Sequence, residues 1–235
     1  MNHMIKIGII FMILLSGCAH SPEKPQVVLF QVSTIQNLFE GDYEGKLSYE
    51  DLKKQGDFGM GTFEGLDGEM IAVDGSYFQI RADGVAYPTY DTMSSPFATV
   101  TQFKPAKLDV SDKAMNYAEL QKHLDGLIGS KKKVYAFKIT GDFESVKTRS
   151  IPKQVKPYPP IMEAGKSQKI SEFKNTDGVM VGFYFPEYMK TVSGSGYHFH
   201  FISSERKNGG HLLDCRSKSI TIEICNITEV NLVLP

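Results

Sequence analysis

The chain has 235 residues, with 26 Lys+Arg against 27 Asp+Glu, a net charge of −1, and 41% hydrophobic, 23% charged and 11% aromatic residues. Those proportions suit one substantial globular domain or two small ones, and exclude a disordered tail, a collagen and a coiled-coil rod. A nucleic-acid partner is excluded too. It would need a basic domain or stripe, whereas the basic run Lys131-Lys132-Lys133 reads as a solvated loop before a strand.

The N-terminus is an address. Lys6 precedes the unbroken apolar run Ile7 to Leu15. As a helix that run covers about 14 Å, half of a roughly 30 Å hydrocarbon core, which fits a signal segment and not a span. It leads into Leu15-Ser16-Gly17-Cys18, which resembles a bacterial lipobox. That resemblance implies residues 1–17 as a lipoprotein signal peptide. Cys18 would then carry the lipid, residues 18–26 would form a tether, and residues 27–235 would form the functional domain. The expected location is extracytoplasmic, on a membrane surface held by the acyl chains.

Val27 to Ser33 is a strand candidate, and Ser48 caps a short helix running to Lys54. Asp74-Gly75 and Asp83-Gly84 are turn dipeptides that divide a meander of Glu69–Val73, Tyr77–Arg81 and Val85–Tyr87. Ala98–Phe103 follows as another strand. Leu120, Leu124, Leu127 and Ile128 fall at helical spacing, which predicts an amphipathic helix over Asn116–Ile128 ended by Gly129. His123 beside that stripe reads as an ordinary half-buried histidine.

The second half predicts strands at Val134–Ile139, Glu144–Arg149, Val179–Phe185, Tyr197–Ile202, His211–Cys215, Ile220–Cys225 and Val230–Leu234. Pro157-Tyr158-Pro159-Pro160 is stiff and extended, a connector between two sheets. The expected fold is α+β and mostly antiparallel β, in two packed sheet layers with few helices and a soft boundary near residues 129–133. The spacing of Cys215 and Cys225 does not require a disulfide.

Three of the six histidines, His198, His200 and His211, lie within fourteen residues. On a strand, residues i and i+2 share a face, so His198 and His200 project together while Phe199 and Phe201 cover the other side. The turn-rich segment Ser203 to Gly210 makes a hairpin that returns His211 beside His200. Three imidazoles around one open position suit zinc first, and iron, manganese, nickel or cobalt as well. Cupins also use a His-x-His strand with a nearby carboxylate, here Glu205, although the glycine spacing differs. Carbonic anhydrases share three strand histidines and nothing else. A non-catalytic metal-binding surface lipoprotein is the third reading.

Two further stretches narrow the choice. Gly61-Thr62-Phe63-Glu64-Gly65-Leu66-Asp67-Gly68-Glu69-Met70 resembles the alpha-acetolactate decarboxylase family. So does Val146-Lys147-Thr148-Arg149 with Gln154 and Pro157-Tyr158-Pro159-Pro160. Tyr197 to Ser203 with Gly209 to Asp214 is similar to that family's metal hairpin, and the motifs run in family order from about Val27 to Pro235. The resemblance implies zinc on His198, His200 and His211, with Glu69 and Arg149 completing the site. It implies decarboxylation of 2-acetolactate to acetoin, the cation acting as Lewis acid on the enediolate. Relatives suggest a homodimer. In the family an acidic tail past the terminal Leu-Pro brings a second glutamate to the metal site, which leaves two expectations: Glu205, Glu223 or Glu229 substitutes for it, or the activity is altered.

Overall fold

The computed structural model describes residues 26–234. The expected signal segment, the lipidation residue Cys18 and the tether up to Pro25 lie outside the described residues. The first half forms β1 (Val28–Val32), β2 (Leu47–Ser48), β3 (Phe58–Thr62), β4 (Glu69–Val73), β5 (Ser76–Ile80), β6 (Ala86–Pro88), β7 (Ser94–Ser95) and β8 (Ala98–Thr101). The second half forms β9 (Lys107–Ser111), β10 (Met115–Asn116), β11 (Tyr135–Ser150), β12 (Lys169–Phe185), β13 (Gly196–Ser203), β14 (Gly209–Asn226) and β15 (Glu229–Val233). Helices α1 (Ile35–Phe39), α2 (Tyr49–Gln55), α3 (Tyr117–Leu127) and α4 (Ile161–Ala164) decorate them. Among the described residues, no helix is long and apolar enough to cross a membrane.

One sheet runs β15-β1-β8-β3-β4-β5-β6, antiparallel except where β1 lies parallel to β15. The other runs β10-β14-β11-β12-β13, with β9 also on β14, and curls until β13 pairs back onto β14. The expected two-layer, mostly antiparallel architecture is what the chain adopts. Leu29, Phe58, Met60 and Ile71 of the first sheet meet Ala136, Val181 and Phe183 of the second in one shared core. Inside the curl, Phe137, Phe143, Phe199, Phe201 and Ile222 pack with Leu120 and Leu124 of α3. Burying each such side chain contributes about 1.5–3 kcal/mol.

Local chemistry explains the elements that were anticipated. Asp74 and Gly75 both take positive φ, 52° and 76°, so the β4–β5 hairpin closes as the sequence predicts. Ser48 caps α2 through the Asp51 amide at 3.1 Å. Asn116 and Glu119 form a reciprocal capping box on α3. That helix ends with Ile128 as its C-terminal cap, one residue short of the glycine expected to stop it.

Other expectations are corrected. Val134–Ile139 and Glu144–Arg149 are one strand, β11, and His211–Cys215 and Ile220–Cys225 are one strand, β14. The division between sheets falls between β8 and β9, not near residues 129–133, and β15 returns to the first sheet. The proline segment joins two strands of the same sheet. It crosses to the first half, where Tyr158 packs at a tilt against Tyr43, 5.3 Å between centroids. Cys215 and Cys225 are both buried and free. Ten residues apart on one strand, they lie roughly 33 Å apart, far beyond disulfide reach.

Candidate metal centre

The centre begins as a cross-strand row. His200 on β13 lies directly opposite His211 on β14, which lies directly opposite Arg149 on β11. His198 joins from the same face of β13, with Phe199 and Phe201 buried behind, as the alternation predicts. Between Lys147↔Asp214 and Thr148↔Leu212 the pairing skips Leu213, a β-bulge that re-aims the strand beside the site. Gly210 allows the close approach: at φ +145°, a Cβ there would sit 2.8 Å from the Arg149 carbonyl oxygen.

The first sheet supplies the remaining group. Glu69 heads β4 after a tight turn in which Gly68 takes φ +80°, and a Cβ at Gly68 would sit 2.2 Å from the Ile80 carbonyl oxygen. Thr62 pins this turn by donating its hydroxyl to the Gly68 carbonyl at 2.6 Å. The Glu69 carboxylate then reaches across the sheet interface, 3.5 Å from His200 Nε2 and 3.8 Å from Arg149. Glu69 is 8% exposed, so its carboxylate is buried although it directly follows the Gly68 turn.

The ligating nitrogens of His198, His200 and His211 all lie within 4.8 Å of one another. His198 Nε2 and His211 Nδ1 face each other at 3.0 Å. His200 Nδ1 contacts the Met70 carbonyl at 2.9 Å, as a donor in the tautomer that frees Nε2 toward the others. Burial holds all three imidazoles neutral. It pushes His198 down to about 4, helped by the Arg149 charge, and drives His200 and His211 well below the ordinary histidine range. Burial raises the Glu69 carboxyl to about 7, opposed by Arg149. Three neutral imidazole nitrogens fit zinc or a neighbouring first-row cation in charge state and donor type.

All five predicted residues line one cavity of about 300 Å³. Its walls were not foreseen: Ile35 and Leu38 of α1, Leu66, Phe97, Ile151 and Ile161 give an apolar pocket above the polar floor. The one available signal was Thr34-x-x-Asn37, whose hydroxyl caps α1 at 3.2 Å. Glu205, Glu223 and Glu229 do not line the cavity and so do not replace a tail glutamate. Glu205 pairs with Lys207 in an exposed turn, which removes the cupin-type carboxylate. His123 pairs with Asp109 at 2.8 Å, away from the centre.

A clamp steadies the hairpin. The buried Gln31 amide donates to the Ser33 and Val192 carbonyls and accepts from the Ser193 hydroxyl, just ahead of His198. The amides of Ile35 and Gln36 bond Val192 and Thr191, tying α1 to the same segment. Gln31→Leu would strand these groups, and should cost about 2 kcal/mol and ~4–8 °C in Tm. Calorimetry of the variant checks this, and an unchanged Tm would show the clamp to be idle.

Three neutral imidazoles, a carboxyl and a guanidinium at the floor of one cavity between two β-sheets define a candidate metalloenzyme. The family model described as alpha-acetolactate decarboxylase matches residues 29–235. The alpha-acetolactate decarboxylase of Methanosarcina mazei is 50% identical over 80% of this chain, which spans 65% of that protein's length. That of Bacillus subtilis is 39% identical, covering 91% of this chain and 84% of its own. The crystal structure of acetolactate decarboxylase from Bacillus subtilis subspecies spizizenii superposes with a TM-score of 0.87 at 40% identity, covering 88% of this chain and 90% of that one. The chain belongs to the alpha-acetolactate decarboxylase family, a family of carboxy-lyases.

Proposed function

We propose that this chain decarboxylates 2-acetolactate to acetoin and CO2, with His198, His200 and His211 holding zinc. The observation that supports this most is the convergence of those three rings with Glu69 and Arg149 in one cavity of a member of this family. A divalent cation bound there supplies Lewis acidity toward the oxygens on which negative charge develops as the C–C bond breaks.

The chain's own groups do the rest. The apolar walls from α1, Phe97, Ile151 and Ile161 seat the substrate methyl groups and exclude water from the floor. Arg149 orients the substrate carboxylate. It does so loosely, because a tight bidentate grip on the leaving group would favour the ground state over the transition state. Glu69, wedged between Arg149 and His200, is placed to deliver and accept the proton that fixes the hand of the acetoin formed.

Metal analysis and acetoin release from 2-acetolactate, with and without a chelator, test the proposal. We expect stoichiometric metal, turnover abolished by chelation, and recovery on adding zinc. Turnover undiminished in metal-free protein would overturn it. The lipobox-like Leu15-Ser16-Gly17-Cys18 supports a lipid anchor at Cys18, which would place the enzyme outside the cytoplasm on a membrane surface.

A further inference from the structure

A second groove, of about 770 Å³, opens where the described chain begins. Lys107, Lys132 and Lys133 line it together with Tyr188, Glu229 and Val230. All three lysines are exposed, and among the described residues none has an acidic partner. Lys107 instead donates to the Leu127 carbonyl at 2.8 Å, which leaves its charge uncompensated. Glu229 on the same rim accepts only from the neutral Gln26 side chain and keeps its negative charge, so the lining carries three lysines against one carboxylate. Tyr188 is 71% exposed, with its hydroxyl donating to the Lys132 carbonyl at 3.3 Å, so an aromatic ring stands beside the basic loop.

The chain enters the fold at this rim. Val27 exchanges hydrogen bonds with Thr228, which also lines the groove. If Cys18 carries lipid, the eight Cα steps from Cys18 to Gln26 span at most about 28 Å. That tether holds the groove close to the membrane and leaves the opposite end of the domain out of reach. Lysines beside an interfacial tyrosine are the chemistry that anionic headgroups attract.

The geometry points to this groove as a membrane-docking face that binds anionic phospholipid headgroups and sets the orientation of the anchored enzyme. The inference rests on the lipid anchor proposed above. The chain has no tryptophan, so Tyr188→Trp provides a unique fluorophore at the face. The full lipidated chain carrying this substitution is reconstituted on vesicles of phosphatidylcholine alone or with phosphatidylglycerol. We expect a blue-shifted emission on the anionic vesicles only, reversed by 1 M salt, where the screening length falls to about 3 Å. Adding Lys132→Glu and Lys133→Glu should abolish the shift while acetoin release persists, which shows the fold intact. Equal emission on both vesicle types, with the protein fully vesicle-bound, would overturn the docking face and leave the anchor standing. Protein that fails to stay with either vesicle would instead overturn the anchor, and the docking face with it.

Discussion

His200→Ala should strip the cation from the protein and lower turnover by about 10³-fold or more, the scale of several kcal/mol of charge stabilisation. His200 has the widest reach of the three rings. It faces His211 across the hairpin, contacts Glu69 and bonds the Met70 carbonyl in the opposite sheet. The substitution also removes the hydrogen bond between the ring and the Met70 carbonyl, at a net cost of about 0.5–1.5 kcal/mol. Metal analysis and acetoin release on the same preparation check both effects. Retained metal with retained turnover would mean that the centre lies elsewhere.

Glu69→Gln should keep the metal and the fold while lowering kcat by about 10²–10⁴-fold, the usual contribution of a positioned acid or base. The amide preserves the shape wedged between Arg149 and His200 but cannot carry the proton. The informative readout is the split between parameters. A fall in kcat with KM little changed assigns Glu69 to proton transfer, whereas a rise in KM alone would confine it to binding. Loss of stereochemical control over the acetoin formed would point the same way as a fall in kcat.

The hairpin was legible because its physics is local. Alternation across Tyr197–Ile202 and a glycine-rich turn suffice to bring His211 opposite His200, and the register obeys. Glu69 was harder. All five residues of β4 are buried, since its sheet is packed on both faces, so period-two alternation gives no sign of which way Glu69 points. Only the family resemblance singled it out. The fused strand β11 carries Thr140-Gly141-Asp142 in the gap between the two strands expected at Val134–Ile139 and Glu144–Arg149. Gly141 is there for close approach, since a Cβ would lie 2.1 Å from the Ser219 carbonyl oxygen. The first half of β12 is largely solvated and lacks the apolar alternation that marks a strand, whereas edge strand β9 does alternate, Leu108 and Val110 with Lys107, Asp109 and Ser111, but turns those apolar side chains to solvent. The cavity walls come from short helices and loops, whose meeting depends on tertiary contacts and leaves no periodic trace.

The contrast between those two kinds of contact sets an order of assembly. Two of the imidazoles meet across an interval of eleven residues, so little chain entropy stands against their capture of an ion. The carboxyl arrives through a contact between Glu69 and His200, 131 residues apart, that needs the two sheets docked. A nascent or partly unfolded molecule can therefore be loaded while still chemically silent, and turnover reports completion of the whole fold in a way that metal content does not.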